Sequence, residues 1–206
     1  MNFNDPLSLR KKVAKEAATL LYFGVEKEYK QAKLKAAKTS AIHFLPTNLE
    51  VAIELDKIAE ENECGARHKR LIQMRKDALT LMKILEEYNP ILIGSVWRGT
   101  INRESDIDIA VYHNEPNEVL KLTKQSNFKV TQTERTTVTK QGIKKASFHI
   151  YLESPTQEKA EVIVRSLEEI GHEGKCEIYG DPITGLRTQE LEKVLEENPT
   201  QRFVPF

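Results

Sequence analysis

Ile93-Gly94-Ser95-Val96-Trp97-Arg98-Gly99-Thr100-Ile101-Asn102-Arg103-Glu104-Ser105-Asp106-Ile107-Asp108-Ile109-Ala110 sets a Gly-Ser pair and an Asp-x-Asp pair on one short stretch, with ten residues between them. The apolar run Ile91-Leu92-Ile93 reads as a short buried strand, so Gly94 and Ser95 fall where that strand ends and the chain turns. A second apolar run, Ile107 to Tyr112, reads as another strand. Side chains alternate along a strand, so Asp106 and Asp108 share one face while Ile107 and Ile109 take the other. Their Cα atoms then stand about 7 Å apart, a spacing that lets both carboxylates converge on one hard cation.

Around this stretch the chain is an ordinary globular one. Its 206 residues and 23.6 kDa are enough for one or two small domains with adequate cores. No apolar stretch approaches the roughly 18 residues of a membrane span, and the start carries no charged-then-apolar leader, so a cytoplasmic protein is expected. Cys64 and Cys176 are too few and too isolated for a disulfide scaffold or a zinc cluster. The five histidines show no ligand spacing either. Net charge is zero, which argues against a protein that coats nucleic acid nonspecifically. The balance is uneven, however. Residues 1–46 hold nine Lys or Arg against four Asp or Glu, and residues 153–206 hold six against twelve. The basic end fits either a polyanion or an exposed lysine-rich helix face.

From about Leu9 to Lys38 the sequence favours one long helix, with Gly24 as its weak point and Asn4-Asp5-Pro6 as its start signal. His43-Phe44-Leu45-Pro46 breaks the pattern. Thr47-Asn48-Leu49-Glu50 is a capping box for a second helix whose stripe is Val51, Leu55, Ile58 and Ala59, with Gly65 at its end. A third helix, about Arg67 to Tyr88, carries the stripe Leu71, Met74, Ala78, Leu81 and Leu85. Asn89-Pro90 stops it. Strand content begins at residue 91 and continues near 127–139, 143–152 and 161–164, with a helix from about 114 to 125 and a turn at Lys140-Gln141-Gly142. Thr188 to Glu197 reads as a final helix with acidic residues near its start. Two regions are expected: 1–89 helical, and 90–206 carrying the sheet and the site.

At the quoted motifs the chain resembles the DNA polymerase beta-like nucleotidyltransferase superfamily, whose pattern is Gly-Ser, a short helix, then Asp-x-Asp. Ile-Gly-Ser-Val-Trp-Arg-Gly-Thr and Ser-Asp-Ile-Asp-Ile are most similar to archaeal CCA-adding enzymes and to the small archaeal proteins classed as predicted nucleotidyltransferases. The resemblance covers roughly residues 91–165, and residues 1–89 resemble the helical leader of the small archaeal proteins. It implies an α+β fold: a mixed sheet with flanking helices, preceded by an α-helical N-terminal region. The family places a third carboxylate on a later strand, after a strand containing a histidine. His149-Ile150-Tyr151-Leu152 and Ala160-Glu161-Val162-Ile163-Val164 occupy that order, which makes Glu161 the third carboxylate and leaves Glu153 as its competitor.

The chemistry implied by the resemblance is transfer of a nucleoside monophosphate from an NTP such as ATP to an acceptor hydroxyl, with two magnesium ions as cofactor. Asp106 and Asp108 would hold both ions; Glu161 would hold the ion at the acceptor and help take its proton. Three carboxylates and phosphate oxygens match magnesium's preference for oxygen ligands. Gly94 lets the backbone approach the triphosphate, Ser95 adds a hydroxyl, and the amides opening the Val96 helix add donors. Arg98 is placed either to grip a phosphate in a forked contact or to pair with a surface acid. Thr100, Arg103 and Ser105 line the same turn, and Trp97 packs beneath the helix.

The acceptor stays open among RNA, a protein and a small molecule, although 206 residues leave no room for the large tRNA-binding domains of a CCA-adding enzyme. The leader is open to three roles: packing on the sheet, forming a homodimer, or recruiting the acceptor. The competing reading of the same fold is a catalytically silent module that senses NTP or binds RNA.

Overall fold

The computed structural model describes residues 6–40, 44–140, 143–172 and 174–205. The expected start signal at Asn4-Asp5, His43 of the break, and Gln141-Gly142 of the hairpin turn lie outside the described residues.

The helix expected over residues 9–38 is two helices, α1 (Pro6–Tyr22) and α2 (Tyr29–Thr39). Gly24 is the reason. It adopts φ +67, and the amides of Val25 and Glu26 both turn back to the Leu20 carbonyl, at 2.9 and 3.2 Å. Glycine enters that left-handed region without a Cβ penalty, so the helix ends there. The Thr47 capping box is formed as expected. Its hydroxyl accepts from the Glu50 amide at 3.2 Å while Glu50 accepts from the Thr47 amide at 2.6 Å.

That box opens α3 (Asn48–Ile84), two helical segments joined at a kink beside the stop expected at Gly65. The break sits one residue earlier, at Cys64, with φ 46 and ψ −133. It separates two apolar stripes. Val51, Leu55, Ile58 and Ala59 pack with α1 and α2, whereas Leu71, Met74, Ala78, Leu81 and Leu85 join the core beneath the sheet. A 3-10 turn at Glu86–Tyr88 then delivers the chain into β1.

The remaining elements are β1 (Ile91–Ile93), α4 (Gly94–Arg98), β2 (Ile107–Tyr112), α5 (Pro116–Lys124), β3 (Lys129–Lys140), β4 (Ile143–Glu153), β5 (Lys159–Arg165), β6 (Leu186–Arg187) and α6 (Thr188–Glu197). They form one mixed sheet of six strands in the order β3-β4-β5-β2-β1-β6, the fold class expected. β2 is central and buried at every position but Asp108, which accounts for its nearly unbroken apolar sequence. β5 runs parallel to β2; the other pairs are antiparallel. The two-residue β6 was not anticipated, because so short a strand leaves no periodic signal.

One buried cation ties the end of α4 to the C-terminal segment. Arg75 is fully buried and donates to the carbonyls of Val96, Trp97, Pro199 and Gln201, the last three at 2.8 to 2.9 Å. Those carbonyls satisfy its donors, while burial lowers its guanidinium to about 10. Among the described residues, no helix is long and apolar enough to cross a membrane.

Candidate active site

The site forms where β1, β2 and β5 lie side by side. β1 ends at Ile93, and the chain turns through Gly94, at φ +72, into α4. Asp106 precedes β2 and Asp108 lies within it. The parallel register sets Asp108 directly beside Glu161 on β5. The three residues each offer a carboxylate oxygen, and these oxygens lie within 4.8 Å of one another. Glu153, the competitor, sits at the end of β4 opposite Lys159 and outside this group.

Crowding the three acids together makes ionisation costly. Asp108 is pushed well above the ordinary carboxylate range, first by burial and then by Asp106 and Glu161. Asp106 is raised as well, chiefly by burial; Glu161 adds to the shift, and its own backbone amide, Lys159 and Arg70 offset part of it. Among the described residues, neither aspartate forms a salt bridge. Clustered carboxylate oxygens with no Lys or Arg salt-bridge partner among the described residues fit a hard divalent cation. Gly94 is required by this arrangement, because a Cβ there would collide with Oδ2 of Asp108. Its immediate role is to make room for a carboxylate, a constraint separate from any approach to a triphosphate.

Glu161 is held from the neighbouring strand. Nδ1 of His149 lies 2.6 Å from its Oε1, and since a carboxylate can only accept, the histidine donates. Nε2 of His149 lies 2.7 Å from the Ser147 hydroxyl, which ties the other side of the ring to the same strand. Tyr151, stacked on His149, is raised above the usual phenol range by burial and by Glu161. The sequence reading used His149 only as a strand marker. The alternation Ser147-x-His149-x-Tyr151 carried the signal, since it puts all three on one face of β4.

Asp106 and Asp108 open into a cleft of about 630 Å3 that also includes Gly94, Ser95, Thr100 and Ser105. The Ser105 hydroxyl accepts from the Asn102 amide at 2.9 Å, so it shapes the turn before Asp106. Arg70 of α3 holds the same turn, donating to the carbonyls of Asn102 and Ser105 at 2.8 and 3.0 Å and pairing with Glu158. Nothing local marks Arg70, which is 32 residues from its first partner. Arg98 lines the cleft, yet its guanidinium is engaged by Asp181 at 2.7 and 3.0 Å and by the Phe203 carbonyl, between the rings of Trp97 and Tyr179. Trp97 is buried beneath α4, as expected. Arg103 points elsewhere, its guanidinium 5.8 Å from the Tyr22 ring centroid.

No curated protein matches the sequence. Solved structures similar to it include Cid1 in complex with the UTP analogue UMPNPP, at 14% identity over 57% of this chain and 37% of that one, TM-score 0.34. The GLD-2/RNP-8 complex is similar at 14% identity over 61% and 45%, TM-score 0.34. A cytoplasmic RNA terminal U-transferase is similar at 15% identity over 60% and 35%, TM-score 0.30. The chain thus spans between about a third and just under half the length of these neighbours. The nucleotidyltransferase domain family matches residues 71–177, a span that runs from the sheet-packed half of α3 past β5 and takes in Gly94, Ser95 and all three clustered carboxylates. With just over half its length inside that match, the chain belongs to the nucleotidyltransferase domain family.

Proposed function

We propose that the protein transfers a nucleoside monophosphate from a nucleoside triphosphate to an acceptor hydroxyl, with Asp106, Asp108 and Glu161 holding two magnesium ions. The observation that carries this reading is the convergence of three carboxylates beside a cleft, on a chain of the nucleotidyltransferase domain family. Divalent cations bound there would offset the charge that builds on the α-phosphate and favour ionisation of the attacking hydroxyl. Asp106 and Asp108 bind and orient. Glu161, held by His149, takes up the acceptor proton. Gly94, Ser95, Thr100 and Ser105 line the phosphate side, and Lys159 brings positive charge to it. Arg98, engaged by Asp181, contributes as part of the cleft wall.

The acceptor hydroxyl belongs to RNA, to a protein or to a small molecule, and one assay separates these classes. Purified protein is incubated with each labelled NTP, magnesium, and pooled cellular RNA, protein and small-molecule extract, beside an Asp106→Asn, Asp108→Asn double variant. The expected result is label on one acceptor class with wild type alone. Transfer that survives in the double variant ends the assignment, and magnesium-dependent NTP binding without product points to a nucleotide-sensing module.

A further inference from the structure

The cleft beside the carboxylates is lined by side chains of different chemistry. Ser95, Asp106 and Asp108 are polar or acidic, and Glu26, Lys27 and Asp56 add charge. Beside them stand apolar and aromatic side chains of segments far apart in sequence. Tyr29, Ala52 and Leu55 come from the N-terminal helices, and Trp97, Ile178 and Tyr179 face them from the catalytic region. Leu55 belongs to the helical core and Tyr29 packs against it, and both also line the cavity. Ala52 lies on α3 beside the stripe that packs with α1 and α2 but is not part of that apolar cluster; it lines the cleft. Tyr29 begins α2, and its hydroxyl is raised by burial and by the proximity of Tyr179 and Cys176, so the ring reaches toward the turn on the far side.

From this we infer that the N-terminal helices form the wall that receives the base and ribose of the nucleotide, with Tyr29 and Ala52 in contact with them. The inference rests on the nucleotidyl-transfer reading of the carboxylates. A triphosphate held at Asp106 and Asp108 carries its nucleoside only one ester bond from the α-phosphate, so the nucleoside must lie in the adjoining part of the same cavity or in solvent. A planar base has an apolar face that stacks on an aromatic ring, and Tyr29 in the cleft lining supplies one. An apolar pocket with a few convergent polar groups is the usual form of a small-molecule site.

The test measures magnesium-dependent binding of the four non-hydrolysable nucleoside triphosphates and of inorganic tripolyphosphate, which has no base, to the full chain. Wild type is compared with Tyr29→Leu, which keeps apolar packing without the ring, and with Ala52→Leu, which fills the cleft. Thermal unfolding identifies which variants remain folded. The expected result is about tenfold or greater loss of nucleotide affinity in a folded variant, with tripolyphosphate affinity unchanged. Equal nucleotide affinity in wild type and folded variants overturns the inference, as does equal loss for nucleotide and tripolyphosphate. Wild type that binds neither probe with magnesium overturns the nucleotidyl-transfer reading itself, and this inference with it.

Discussion

Asp108 ionises at a disadvantage, being half-buried and largely cut off from water beside two other carboxylates. A carboxyl whose folded pKa is raised contributes stability that is present below its unfolded pKa and lost as pH rises through the folded value. Asp108→Asn is therefore expected to raise the Tm of metal-free protein at pH 8, with a smaller gain at pH 4; magnesium is expected to raise the Tm of wild type, on the proposed metal role, and not that of the variant. Calorimetry in chelator and in magnesium measures both; an Asn variant less stable at pH 8 would refute this account of the cluster. His149 acts one step further out. Partners of metal-ligating carboxylates typically matter by about 10–100-fold, so His149→Ala is expected to lower metal affinity or turnover by that factor with the fold retained. Unchanged metal affinity and kcat would reduce His149 to a strand residue.

Among the elements, α3 shows which features can be read from sequence. Its capping box was legible because the donor and acceptor lie three residues apart at Thr47 and Glu50. Thr47→Ala is expected to cost about 1 kcal/mol in urea denaturation. Arg10 and the Thr47 backbone hold the Glu50 carboxyl down to about 2 from its ordinary 4.5, so the contribution of Glu50 is full above about pH 4.5 and fades as pH falls toward 2. The kink was less legible. Gly65 advertised a stop, but Cys64 takes the positive φ, a region costing a side chain about 1–3 kcal/mol. Glycine recovers part of that, so Cys64→Gly is expected to raise stability by up to about 1 kcal/mol in the same denaturation measurement, after its own chain-entropy cost. β2 and α6 were readable from an apolar run and an acidic start. Glu161 was named over Glu153 from the order of segments that the family resemblance implies; what sets it beside Asp108 and leaves Glu153 outside is strand register, which no local pattern contains. The burial of Arg75 and Arg98 was likewise hidden, because it depends on carbonyls and an acid that fold in from residues 181–203.

Across the protein, two apolar clusters meet along α3, one under the helices and one under the sheet, and the cleft opens where they adjoin. Length and composition bounded this arrangement without fixing it, since the contact between leader and site depends on side chains such as Tyr29, whose neighbours Cys176 and Tyr179 stand far along the sequence. The parallel pairing of β2 with β5 has a separate effect. It sets the carboxylate spacing by the distance between adjacent strands, about 4.8 Å, whatever route the chain takes between them. That route includes the β3–β4 hairpin, and β4 pairs with β5 only from Phe148 onward. The outer ribbon is thus held by its own two strands. Joining Thr136 to Ser147 through an Asn-Gly turn in place of residues 137–146 is expected to leave nucleotide turnover within about twofold and Tm within a few degrees. A large loss of either would show the ribbon to be part of the machinery. The hairpin's reach is thereby an independent variable: lengthening, trimming or exchanging it would retune what the protein touches while the carboxylates keep their places.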